Sequence, residues 1–145
     1  MSIDNLLHNV SLLVKQIFWL DHSYKAAFKI GSKKAYTLEE FDVFENLSSR
    51  FSRSIDFLIR KVFRSIDDAE FQNQGTLIDV VNNAHKRALF DSIEEFRQLK
   101  DMRNAIAHEY LDDSLLTHFD ELLIQAPKLL KIMKSTHEYV EKQAF

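Results

Sequence analysis

Turn-forming residues are scarce in this chain, which has two Gly and one Pro among 145 residues. A many-stranded β fold needs frequent turns, so this scarcity predicts an all-α protein of long helices joined by short connections. The apolar spacing agrees. Ile3, Leu6, Leu7, Val10, Leu13, Val14 and Ile17 recur at intervals of three and four and continue into Phe18-Trp19-Leu20, which predicts a first helix. The pattern lapses at Gly31-Ser32-Lys33-Lys34. Thr37-Leu38-Glu39-Glu40 then has the form of a capping box, in which a Thr hydroxyl and a Glu carboxylate satisfy each other's backbone N–H groups. The helix it opens carries Phe41, Phe44, Leu47, Phe51, Ile55, Leu58, Ile59, Val62 and Phe63, and nothing interrupts it before Asp67-Asp68.

Gln72-Asn73-Gln74-Gly75 reads as a second loop, with Thr76 capping a helix from Leu77 to Leu89. That helix is expected to pack through Leu77, Val80, Val81, Ala84 and Ala88, leaving His85, Lys86 and Arg87 on the surface. Asp91 or Ser92 caps the next, a long amphipathic helix from about Asp91 to Leu111. Leu111-Asp112-Asp113-Ser114 marks a stop. Leu115, Leu116, Phe119, Leu122 and Leu123 begin a last helical region, in which Pro127 lacks an N–H and is expected to introduce a kink. The sum is one domain over residues 1–145, an antiparallel bundle of about five helices.

Composition narrows the function classes. The hydrophobic fraction of 46% and twelve Phe suffice for a core. Cys is absent, which removes disulfides, thiolate metal sites and a Cys nucleophile. The N-terminus lacks the basic and apolar regions of a signal peptide, and no run approaches the ~18 apolar residues of a membrane span, so a cytoplasmic protein away from membranes is expected. His and carboxylates are plentiful but show no ligand spacing such as H-E-x-x-H, so no metal is expected. There is no G-x-S-x-G elbow, and two isolated Gly cannot form a phosphate-cradling loop. A net charge of −3 gives no global attraction to nucleic acid. Even so, Arg50, Arg53, Arg60, Lys61 and Arg64 crowd one segment against Asp56 alone, as either a local basic face or an ordinary solvated one.

The feature that needs explaining lies in the fourth helix. Ile93, Phe96, Leu99, Ile106 and Tyr110 share one side, with Met102 and Ala107 at its edges, and Arg103 falls in the middle of that stripe. An Arg there is costly to desolvate unless an anion meets it. His108 lies ~140° around the helix, on the polar side with Asn104, Arg97 and Asp101.

Arg103-Asn104-Ala105-Ile106-Ala107-His108-Glu109-Tyr110 matches R-x4-H-x-Y and so resembles the HEPN superfamily, specifically the HepT-like toxins. Length, all-helical build and the lack of Cys extend the resemblance over essentially the whole chain. It implies a metal-independent endoribonuclease acting as a homodimer, with Arg103 and His108 catalytic and RNA as substrate. It also implies a cognate MNT-type nucleotidyltransferase antitoxin that silences the toxin by AMPylating Tyr110. No cofactor would belong to this chain; ATP and Mg would belong to the partner. Some relatives act instead as non-catalytic, substrate-binding partner subunits of a small nucleotidyltransferase, and the sequence leaves both alternatives open.

The chemistry is coherent on its own terms. Metal-free RNA cleavage needs a base for the ribose 2′-hydroxyl, an acid for the leaving oxygen and a cation for the phosphorane. His suits proton transfer near neutral pH, and Arg suits phosphate oxygens. One His cannot readily serve both sides of the phosphorus, whereas two protomers supply two. Asn104, four residues before His108, is placed to orient its ring.

Overall fold

A computed structural model describes residues 2–71, 75–109, 114–143 and 145. The described residues form α1 (Ser2–Ile30), α2 (Leu38–Phe57), a π-helical segment (Leu58–Phe63), α3 (Arg64–Ala69), α4 (Leu77–Lys86), α5 (Ile93–Glu109), a 3₁₀ turn (Ser114–His118) and α6 (Phe119–Gln143). Because α2, the π segment and α3 run on without a break, the described residues make up five helical rods. No strand occurs among the described residues.

The caps stand where the side-chain chemistry places them. Glu40 N donates to Thr37 Oγ1 at 3.1 Å, and Thr37 N donates to Glu40 Oε1 at 3.0 Å. Thr76 opens α4 in the same reciprocal way with Asp79. Of the two candidates for α5, Ser92 is the cap, its hydroxyl accepting from Glu95 N at 3.1 Å. Helix α4 ends earlier than its apolar pattern suggests. Ala88 takes φ 63°, while Ala88 N and Leu89 N donate back to the His85 and Ala84 carbonyls. This is a Schellman stop with Ala where Gly is usual. Ala88 is therefore exposed rather than packed, and Leu89 is the residue that turns inward. Helix α6 continues through Pro127, with Leu129, Leu130, Ile132 and Met133 carrying its buried face onward.

The core gathers part of each predicted seam: in α1 Leu6, Val10, Leu13 and Leu20 are buried, while Ile3, Leu7, Val14, Phe18 and Trp19 are exposed. Leu6, Leu13 and Leu20 of α1 meet Phe44, Leu47, Phe51 and Ile55 of α2 and the inner face of α6. Phe44 stacks on Phe119 at 4.5 Å, with Tyr36 and Phe41 around them, and Phe90 stacks on Phe96 at 4.5 Å beside Phe63. Three buried hydroxyls are satisfied along their own rods: Ser48, Ser65 and Thr136 each donate to the carbonyl four residues earlier. Asn9 then donates to the Ser65 oxygen at 2.7 Å and ties α1 to α3.

One surface assignment is overturned. The Arg87 side chain is 10% exposed and the Asp67 side chain 2%. Arg87 Nη1 and Nε donate to Asp67 and Glu70 at 2.6 and 2.5 Å, Asn83 donates to Asp67, and Tyr139 of α6 donates to Glu70. Burial pulls the Arg87 guanidinium down, but the hydrogen bonds and charges of Asp67 and Glu70 outweigh it and raise the group above its ordinary value. A cation at a helix end looks solvated in sequence. Here the stop at Ala88 folds it back over α3.

Candidate functional site

Helix α5 buries Phe96, Leu99, Met102 and Ile106. Met102 thus belongs to the stripe itself rather than to its edge, and Ala107 is exposed. Arg103 shares that side of the helix but is only partly buried, and the neighbouring rod supplies an acid beside it. Arg103 Nε and Nη2 donate to Asp56 Oδ1 and Oδ2 at 2.9 and 2.8 Å, with both side chains about a third exposed at 35% and 38%. The anion demanded by a partly buried Arg is therefore on α2. These hydrogen bonds hold the guanidinium above its ordinary value; partial burial opposes them and the Asp56 charge adds to them.

The pair stands in the wall of a small cavity of about 110 Å³, together with Ile55, Ile59, Arg60, Lys100 and Asn104. Three cations and a single carboxylate make it basic within an acidic protein. Arg60 comes from the π segment, where Leu58, Ile59, Val62 and Phe63 are buried and Arg60 and Lys61 are exposed. Such a wide turn changes the angular spacing of the side chains that flank it, and π turns recur at functional sites. The bidentate bond uses Nε and one hydrogen of Nη2. The outer N–H groups of Arg103 point away from Asp56, in the fork geometry that suits phosphate oxygens.

His108 is exposed near the end of α5, five positions beyond Arg103, and is not among the described walls of that cavity. Asn104 borders the cavity and, among the described residues, makes no hydrogen bond to His108. It is better placed to line the Arg103 cavity than to orient the imidazole. Tyr110 lies outside the described residues. The crowded basic segment resolves into separate roles: Arg64 is half-buried and donates to the Gly75 carbonyl at 3.4 Å, Arg50 packs on Trp19, and Arg53, Arg60 and Lys61 are exposed. Asp56 was visible in sequence as the lone acid of that segment. Its pairing with Arg103 was not, because the two are 47 positions apart.

Among the described residues no three His, Asp or Glu side chains gather as a metal ion would require, and no helix is long and apolar enough to cross a membrane. Comparison with family models, curated proteins and solved structures finds no match.

Proposed function

We propose that this chain is a HepT-like toxin: a cytoplasmic, metal-independent endoribonuclease whose five rods form an antiparallel bundle and which acts as a homodimer. The observation that carries the reading is Arg103 itself, oriented by Asp56 at the mouth of a basic cavity, on the same helix as an exposed His108. A fixed guanidinium stabilises the charge that develops on the phosphoryl oxygens, and it does so best when no reorganisation is needed at the moment of reaction. His108 transfers the proton from the 2′-hydroxyl or to the leaving oxygen. Its distance around the helix from Arg103 is bridged by pairing two protomers, so that each His108 faces the other's Arg103. Tyr110, two residues on, is the acceptor for AMP from an MNT-type nucleotidyltransferase antitoxin, which brings its own ATP and Mg.

The same ion pair also favours a second reading. Asp56 already neutralises Arg103 within one protomer, as expected where that Arg is only structural, and a chain without a catalytic Arg would serve as the non-catalytic partner subunit of a small nucleotidyltransferase.

RNA cleavage in EDTA separates the two, with wild type beside His108→Ala and intact mass used first to exclude adenylylation. The ribonuclease reading expects cleavage by wild type and a fall of about 10²–10⁴-fold in the variant, the usual share of general acid–base catalysis. No cleavage of several RNAs by unmodified wild type would leave the partner subunit as the function.

A further inference from the structure

A second cleft, away from the motif, has the chemistry of a nucleotide subsite. It lies between α1 and α2, holds about 290 Å³, and is lined by Gln16, Trp19, Arg50, Arg53 and Ser54. No acid is among those residues. Trp19 is 50% exposed and meets Phe18, itself 63% exposed, edge-to-face at 5.2 Å. The Arg50 guanidinium carbon lies 4.8 Å from the centre of the Trp19 ring, and Arg50 Nη1 donates to the Trp19 carbonyl at 3.1 Å. Its plane is thereby fixed before any ligand arrives. Gln16 and Ser54 complete the wall with polar side chains.

We propose that this cleft binds one nucleotide of a single-stranded RNA, its base stacking on the layer formed by Trp19 and Arg50 and its phosphate meeting Arg50 and Arg53. Aromatic rings and guanidinium planes are the surfaces on which unpaired bases stack, and cations beside them track the backbone. A protein segment matches less well, because two guanidiniums would need anionic partners that an apolar helix face does not carry. Arg53 of this cleft and Arg60 of the basic cavity are seven positions apart on one rod, roughly 10 Å at the helical rise. The choice of an RNA strand as ligand rests on the ribonuclease reading; the stacking and phosphate chemistry does not.

The test is fluorescence anisotropy of a labelled, fully 2′-O-methylated RNA 12-mer, which cannot be cleaved, in EDTA over a salt series. Wild type, Trp19→Ala and Arg53→Gln are compared after circular dichroism has confirmed folding. The proposal expects Trp19→Ala to weaken binding at least about fivefold, the loss of one stacked base. It expects Arg53→Gln to flatten the salt dependence by about 0.7 in slope, the loss of one phosphate contact on a single strand. Arg53 is exposed, so its variant keeps the test decisive if Trp19→Ala does not fold. Binding equal to wild type in affinity and slope overturns the proposal, as does a wild type that does not bind. Displacement of the 12-mer by millimolar AMP would reassign the cleft to a free nucleotide and overturn the strand. Binding that both variants weaken, from a wild type that leaves ordinary RNA intact, would end the ribonuclease reading and keep the cleft.

Discussion

Asp56 grips Arg103 through two hydrogen bonds of 2.9 and 2.8 Å across 47 positions of sequence, and this bond joins the motif helix to the basic rod. The pair is a third exposed, so water screens it and its net contribution to folding is about 1 kcal/mol or less. Its larger consequence is geometric, since it fixes the plane of the guanidinium. Asp56→Asn is expected to lower the urea midpoint only slightly. On the ribonuclease reading, RNA cleavage should fall about tenfold or more, because a displaced reacting group loses rate steeply. Equal small effects on both would reduce Asp56 to a structural partner.

The Arg87 cluster should behave in the opposite way. Arg87→Met leaves Asp67 charged and buried with only the Asn83 amide against it, which predicts a loss of about 3–5 kcal/mol in chemical denaturation. Replacing both partners by apolar residues, as Arg87→Met with Asp67→Leu, should recover much of that loss. The single variant must therefore be clearly less stable than the double.

Ala88 offers a gain. Its φ of 63° crowds the Cβ against the following carbonyl, and Gly avoids this at the position where helices most often place it. Ala88→Gly is expected to raise unfolding free energy by about 0.5–1 kcal/mol, net of the chain entropy that Gly adds to the unfolded state. Lower stability would mean that the left-handed turn is not the native stop.

Acid should loosen the start of α2. The hydrogen bond from Lys33, then that from the Thr37 backbone, hold the Glu40 carboxyl below its ordinary value of 4.5. A carboxyl lowered on folding stabilises the fold above its unfolded value, and the contribution is lost as pH falls through the lower folded one. Wild type and Glu40→Gln should therefore differ in urea midpoint at neutral pH and converge below about pH 4. A difference that persists at acid pH would show that the carboxylate's charge is not what the cap uses.

What the sequence determined by itself was mostly of short range, although the local stop at Ala88 was not read from it. The all-helical class follows from the scarcity of Gly and Pro, and the reciprocal cap at Thr37 and the cap at Thr76 were read from local side chains, the reciprocal bond from Asp79 being added by the structure. The buried seam of α2 was legible as three-and-four spacing, because burial of one helix face is periodic, whereas in α1 the spacing also took in Ile3, Leu7 and Val14, which are exposed. Even the need for an anion at Arg103 could be derived, since the cost of desolvating a cation is general. Which residue meets that need was decided only when α2 and α5 packed side by side. The same holds for Arg87, which looks solvated at the end of α4 until the turn at Ala88 lays it over Asp67 and Glu70. It holds again for Arg50 on Trp19, 31 positions away. Partnership between charges depends on distance in space and on the local exclusion of water. A linear pattern reports neither until the rods have chosen their neighbours.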